Sequence, residues 1–319
     1  MSGNEKTKMK CTVKAPAKIN LSLDVTGKRE DGYHLLETVM QTIDLCDIIT
    51  VDVEEKGSED IRITLASSGS SIPLDARNTA YKACAGYFEE LAGKTTSTGF
   101  DIHITIEKHI PMQAGLAGGS ADAAGVLKAL DYLFNGVIDF VKLMNIAVSV
   151  GADVPFCLSG GTCLCEGIGE IISPLKGLLI TPVLIIKPPF GVSTPWIFKQ
   201  LEIADIQKRP DTPAVIRSIE SRDFDELFSR TANVLEEVTA REYPIIKEIV
   251  TTMLGYGAAG SMMSGSGSSV FAVFKNENDA KKAYTEIKNN PKWSGYVIIS
   301  TETTQNGPVV TASDTKINA

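Results

Sequence analysis

The stretch IPMQAGLAGGSADAAGVLKAL, residues 110–130, runs a cluster of glycines straight into a strong helix-forming segment. Gly115, Gly118 and Gly119 crowd together ahead of Ser120, and ADAAGVLKAL is rich in good helix formers. The first N–H groups of a helix have no acceptor within it. With the aligned peptide dipoles they make its start a site for an anion, most often phosphate. Glycines let a backbone come close to such a ligand and adopt positive φ. Alone, the run also reads as a tight loop capped by Ser120. It lacks the G-K-[ST] ending of a P-loop and the G-x-G-x-x-G spacing and acidic partner of a dinucleotide fold. What remains is a phosphate cradle of another type. Asp122, in the first helical turn, suits the dipole but sets negative charge beside a phosphate; it either points away or helps hold a magnesium ion.

The chain of 319 residues is long enough for two domains of ordinary size. A net charge of -8 argues against a nucleic-acid binder working through a broad basic surface, but a small anionic ligand needs only local dipoles and a few cations. Cys11, Cys46, Cys84, Cys157, Cys163 and Cys165 form no C-x-x-C pair and have no metal-ligand spacing with the histidines, so they read as reduced thiols. The start MSGNEKTKMK has no apolar signal core, and GLLITPVLIIKPPF is short and broken by Pro182. A soluble cytoplasmic protein with no membrane span is expected.

Residues 10–25 alternate, with Ile19, Leu21, Leu23 and Val25 on one face of a strand. DIITVDVEE, DIRITL, FDIHITIEK, VPFCL and TCLCEGI read as further strands, with His103 on a polar, solvated face. NTAYKACAGYFEEL and FVKLMNIAVSV read as helices. Proline and glycine in KPPFGVSTP mark a crossover. Beyond it the pattern predicts helices at 211–219, 222–238 and 243–254, a loop leading into a strand in GYGAAGSMMSGSGSSVFAVF, a capped helix in NENDAKKAYTEIKN, a final strand in GYVIIS and a polar tail loose at its end. Strands and helices mix without a steady β-α-β rhythm, which predicts an α+β fold, with domains at 1–185 and 186–319.

Three segments can carry chemistry. In PAKINLSLDV, Lys18 and Asn20 share one face of an otherwise apolar strand; the glycine loop is the second. In GADVPFCLSGG, Asp153 sits between a glycine turn and Pro155 at an expected strand start. Read as a turn residue it needs no function; read as a catalytic one it accepts a proton from a hydroxyl, as phosphoryl transfer requires.

PAKINLSL, PMQAGLAGGSAD and SGSGSSVF together resemble the three motifs of the GHMP kinases, the galactokinase, homoserine, mevalonate and phosphomevalonate kinases. KREDGYHLLETVMQTIDLCD, GADVPFCLSGGTCLCEGIGE and GVSTPWIF are similar to the branch that phosphorylates a cytidine-diphosphate methylerythritol. The resemblance runs from about residue 10 to about residue 300. It implies a two-domain kinase using ATP and Mg2+, with nucleotide and substrate in the interdomain cleft, in non-mevalonate isoprenoid synthesis. Pro111, Gly115, Leu116, Ala117, Gly118, Gly119 and Ser120 are implied to bind ATP, the loop from Gly115 to Ser120 at its phosphates, with Lys108 near the nucleotide and Asn78 near the adenosine. Ala117 stands where some members have glycine, and Ala121 where many have serine. Asp153 is implied as catalytic base, with Lys18 paired to it on the acceptor hydroxyl and Asn20 on substrate. Tyr33, His34 and Phe198 match cytidine-binding positions. Ser264 to Phe271 is implied to approach from the second domain, with Gly265 and Gly267 shaping it. His109 has no implied role. The rivals are another acceptor, such as homoserine or mevalonate, or a non-enzymatic member that binds nucleotide or a partner.

Overall fold

The computed structural model describes residues 7–56, 60–69, 72–95 and 99–314; the first residues of MSGNEKTKMK and the end of the polar tail lie outside them. Strand β1 (Lys8–Lys28) pairs antiparallel with β2 (His34–Lys56) along almost its whole length. The alternating stretches 10–25 and 47–55 are only parts of these strands. Register shifts near Pro16, Asn20 and Val25 let so long a ribbon coil rather than stay flat. Strand β3 (Ile61–Ser68) lies parallel to β4 (Gly99–Glu107), so their connection must cross over, and helix α1 (Thr79–Leu91) makes that crossover. Helices α2 (Gly118–Leu133), α3 (Phe140–Val150) and α4 (Val154–Ser159) follow, then β5 (Thr162–Gly167) and β6 (Ile171–Pro174). Strand β5 pairs with the first half of β2, and β4 with its second half.

A second, antiparallel sheet is built from β7 (Pro182–Lys187), β8 (Gly260–Met263), β9 (Val270–Val273) and β10 (Val297–Glu302), in the order β10-β7-β9-β8. Helices α5 (Thr194–Gln200), α6 (Thr212–Ser221), α7 (Phe224–Arg230), α8 (Val234–Glu242), α9 (Ile245–Gly255) and α10 (Glu277–Asn289) belong to this half of the chain. Strand β11 (Val309–Asp314) then returns to the first sheet beside β1. The expected division at 185/186 falls inside β7, and β11 crosses back over it. Two apolar cores result. Ile19 and Leu21 of β1 lie in the first, Leu23 and Val25 in the second. One strand therefore enters both cores, with Lys18 and Asn20 near the crossing.

Four expectations fail for identifiable reasons. VPFCL is helix α4, not a strand: periodicity cannot type so short an apolar run, and Pro155 sits in the helix's first turn, where its missing N–H costs nothing. The helix expected at 222–238 is two, α7 and α8. It breaks at Ala232, whose carbonyl accepts from Leu23 N at 2.9 Å, and Asn233 restarts it by accepting from Leu235 N. The segment before SGSGSS is strand β8, not loop. GYVIIS is not the final strand: β11 in the polar tail follows it, because β1 offers a backbone edge that needs no apolar side chains.

Gly160 ends α4 at φ +71, and a Cβ there would lie 2.1 Å from Gly307 N in the returning tail. Gly160→Ala should cost about 2 kcal/mol or more of stability, from the left-handed conformation and the clash together. Denaturant unfolding checks this; an unchanged midpoint would contradict the close approach.

Candidate active site

Strand β1, the glycine loop, the turn before α4 and the loop between β8 and β9 line one cleft of about 550 Å3. On its floor the Lys18 ammonium, nearly fully buried, donates to Asn20 Oδ1 at 2.6 Å and lies 3.8 Å from Asp153 Oδ2. Asn20 in turn donates to Thr38 Oγ1 at 2.9 Å, and Thr38 donates to Ser22 O at 2.6 Å. The chain of bonds fixes the lysine's rotamer. Asp153 stands at the N-cap position of α4, yet its side chain makes no capping bond. Its carboxylate is a third exposed and faces Lys18.

The glycine loop is held from both halves of the molecule. Leu116 O accepts from Lys18 N at 3.2 Å, Ala114 O from Ser269 N at 3.2 Å, and Gly115 O from Ser264 Oγ at 2.9 Å. Gly115 has φ +74, and a Cβ on it would lie 1.9 Å from Ser264 O, so only glycine admits this approach. Helix α2 begins at Gly118 from an N-cap, Ala117, in the left-handed region at φ 57. Ser120 is thus inside the first turn and does not cap it. The first closed helical bond runs from Ala121 N to Ala117 O at 2.9 Å. Ahead of it the amides of Gly118, Gly119 and Ser120 have no intrahelical acceptor, and all three residues line the cleft with Pro111, Leu116 and Ala117.

Beneath that turn lies a second charged group. It centres on Lys108, just past the end of β4. Its ammonium donates to Asp122 Oδ2 at 2.8 Å and to Asp47 Oδ2, and all three side chains are buried. Asp47 Oδ1 also accepts from His109 N at 2.6 Å and Ile110 N at 2.8 Å. Asp122 Oδ1 is buried with no partner. One cation faces two carboxylates, and Asp47 has the better set of donors. Burial, with the Asp47 charge adding to it against the pull of Lys108, pushes the Asp122 carboxyl up to about 8. Burial works against the charged form of Lys108, but Asp122 and Asp47 raise it overall. Asp122 therefore turns to Lys108. The described residues include no group of three or more His, Cys, Asp or Glu placed to hold a metal ion.

Asn78 caps α1, accepting from Ala80 N at 2.8 Å, and also lines the cleft. At the far end Phe198 lines the cleft and stacks on His34, ring centroids 5.0 Å apart and planes 24° from parallel. Burial, then the Lys28 charge, holds His34 below its ordinary pKa. Tyr33 is 60% exposed at the tip of the β1–β2 turn, and His109 bonds Cys46 O through Nδ1. Two residues escaped the sequence reading. Asp47 had a signal, a carboxylate opening the apolar run DIITV. Asn233 had little: it donates to Met263 O and Gly265 O, both at 2.8 Å, and so holds the loop that meets Gly115.

The sequence model of the GHMP kinases N terminal domain matches residues 78–161, which span the glycine loop and Asp153, and that of the GHMP kinases C terminal region matches 215–292. This chain belongs to the GHMP kinase family. It is a small-molecule kinase. It is 46% identical over 276 residues to a 4-diphosphocytidyl-2-C-methyl-D-erythritol kinase of Clostridium botulinum, covering 86% of this chain and 95% of that one. The corresponding protein of Caldicellulosiruptor saccharolyticus is 45% identical over 276 residues, 86% of this chain and 92% of that one. A crystal structure of a 4-(cytidine 5'-diphospho)-2C-methyl-D-erythritol kinase is similar at 32% identity and TM-score 0.73, over 92% of this chain and 98% of that one. A homoserine kinase from Cytophaga hutchinsonii, 21% identical over 95% and 97% with TM-score 0.74, shares the fold. No helix of the described residues is long and apolar enough to cross a membrane.

Lys108→Met would strand the buried Asp47 carboxylate and take the shared donor from Asp122, and the kinase should lose about 3–5 kcal/mol of stability; urea unfolding with an unchanged midpoint would contradict the ion cluster. The raised pKa of Asp122 has a sign. The folded state holds a proton that the unfolded state releases near pH 4, so this stabilisation is present below that pH and is lost as pH rises through about 8. Asp122→Asn should therefore gain Tm relative to wild type between pH 5 and pH 8. A constant difference in thermal melts would contradict it.

Proposed function

We propose that this kinase transfers the γ-phosphoryl group of ATP to the 2-hydroxyl of 4-diphosphocytidyl-2-C-methyl-D-erythritol, giving the 2-phosphate and ADP in non-mevalonate isoprenoid synthesis. The observation that carries the chemistry is the Lys18–Asp153 pair, 3.8 Å apart in a cleft that also holds the open start of α2. The acceptor is supported by the relatives named above and by the His34–Phe198 pair at one end of the cleft.

In this reading the amides of Gly118, Gly119 and Ser120 take the phosphate oxygens, helped by the helix dipole. Their loop is fixed before ATP arrives, so little reorganisation is needed at the moment of transfer. Asp153 accepts the proton of the acceptor hydroxyl as the phosphoryl group arrives. Lys18 donates to the same oxygen, held in place by Asn20, which also bonds substrate. Asn78 and Pro111 flank the nucleoside, and Lys108 acts through the loop that it underpins. Magnesium supplies charge neutralisation on the transferring phosphates. It would come with the nucleotide, held chiefly by phosphate oxygens and water. Cytosine would lie on Phe198, with His34 on its hydrogen-bonding edge and Tyr33 closing over the base. Homoserine and mevalonate carry no cytosine, so an acceptor of that kind leaves the aromatic end without a role.

ADP release from Mg-ATP should occur with the cytidyl acceptor and not with homoserine or mevalonate; the reverse preference would overturn the acceptor assignment. Asp153→Asn should lower kcat by about 10²–10⁴ while ATP still binds by calorimetry. Phe198→Ala should raise KM for the cytidyl substrate by about 5- to 150-fold, given stacking of about 1–3 kcal/mol, and leave KM for ATP within about twofold. Equal effects on both KM values would argue against stacking on cytosine.

A further inference from the structure

The aromatic end of the cleft is assembled from two distant pieces of chain. His34 opens β2, where the ladder pairs it with Lys28 of β1, and Phe198 lies on α5. Their rings stack at 5.0 Å all the same. That spacing requires α5 to be held against the β1–β2 hairpin. The helix has only seven residues, and the chain runs on from it through a short turn, Ile203–Asp205, to Arg209. Among the described residues, backbone bonds along this stretch are local, such as Ile197 N to Ser193 O at 3.1 Å and Asp205 N to Glu202 O at 3.0 Å. Ile197 and Leu201 are buried in the second core, with Phe198, Ile203 and Ile206 packed against it. Apolar packing of this kind is non-directional and leaves the register open.

Polar side chains at the two ends of the stretch fix it. At its start Thr194 Oγ1 and Ser266 Oγ share a hydrogen bond of 2.7 Å. At its end Arg209 spans two elements with one guanidinium. Its Nη1 donates to Asp24 Oδ1 at 2.5 Å and to Val25 O at 3.0 Å, both on β1, while Nη2 donates to Ile203 O at 3.2 Å in its own segment. Asp24 is buried, and the same Oδ1 accepts from Val25 N at 2.8 Å. Asp24 also stands opposite Glu37 in the β1–β2 ladder, a pairing of like charges that is unfavourable without a cation. The partners of Arg209 thus lie on the hairpin that carries His34. An exposed ion pair alone contributes little to stability. A planar fork that joins a carboxylate and a carbonyl of one element to a carbonyl of another supplies geometry instead.

We infer that Arg209 is a positioning residue for the acceptor: it clamps the segment after α5 to Asp24 and Val25 of β1, and so holds Phe198 at the distance from His34 that the cytosine end requires. Asp24 is its anchor. The glycine loop and the start of α2 are held by other contacts, at Leu116, Ala114 and Gly115. Loss of the clamp should therefore weaken the acceptor and spare ATP. This rests on the reading of the His34–Phe198 end as the cytosine site.

Two readouts on the full chain test it, one of them independent of any substrate. A ring stacked on Phe198 has its proton resonances moved upfield. The chain has three histidines, so loss of a signal in His34→Gln assigns that of His34. In ligand-free Arg209→Gln the upfield shift of His34 should shrink. The same variant should raise KM for the cytidyl acceptor by about 2- to 30-fold and leave KM for ATP within about twofold, the range for coupling through a packed element. Arg209→Lys keeps the charge but has one nitrogen for acceptors on two elements, and should stay impaired. Asp24→Asn keeps the acceptor oxygen and should have an acceptor KM nearer to wild type than Asp24→Ala has. Should Asp24→Ala fail to fold, the two Arg209 variants decide. An unchanged His34 signal in Arg209→Gln would overturn the clamp, as would a wild-type acceptor KM in Arg209→Lys or equal rises in both KM values. A lost upfield shift with an unchanged acceptor KM would overturn the cytosine reading of that end instead.

Discussion

The close approach of two backbones at Gly115 governs the rest of the molecule. The glycine loop belongs to the first half of the chain and the 264–269 loop to the second, and a Cβ on Gly115 would lie 1.9 Å from Ser264 O. Without that side chain the two loops exchange bonds at Ala114 and Gly115. The start of α2 is thereby held at a fixed place over the end of β1, where Lys18 N donates to Leu116 O. The cleft exists because these contacts set its two walls. Asn233, β1 and the restart of α8 all serve the same approach, since Asn233 holds the carbonyls of Met263 and Gly265.

Two buried lysines divide the electrostatic work. Lys18 is held by a neutral amide and stands 3.8 Å from a carboxylate that is a third exposed, so that pair can exchange a partner with an incoming hydroxyl. Lys108 is closed in by two buried aspartates. Such a cluster adds little net stability, because desolvation offsets the attraction, but losing one member is costly. It ties the end of β4 to the start of α2 and sets the charge beneath that helix's first turn. Lys18 thus faces a partly exposed partner and Lys108 only buried ones.

Much of this was legible in the residues. Alternation located the strands around Ile19 and Ile104, and Asn276 and Asn78 marked helix starts that the structure keeps. The shared face of Lys18 and Asn20 was visible as two polar residues in an apolar strand, and the two are bonded. Other features depend on distant partners. VPFCL has too few residues to show a period, and its helical state leaves Asp153 at the N-cap with its carboxylate turned to Lys18. The edge strand β11 is polar because its pairing with β1 is a backbone matter. The ion cluster of Lys108 was not legible because its two counter-charges lie 61 and 14 residues away in the chain. His34 and Phe198 were separately visible as candidates; that their rings stack is a property of the folded chain alone.

The central claim is that phosphoryl transfer in this cleft is directed to one hydroxyl of a cytidyl acceptor. Phosphorus NMR of the product formed from Mg-ATP and 4-diphosphocytidyl-2-C-methyl-D-erythritol tests it most directly. The 2-hydroxyl sits on a carbon that bears no hydrogen, so the new monoester should give a resonance without splitting by a neighbouring proton. A resonance split by protons on the esterified carbon would place the phosphate on another hydroxyl and contradict the account.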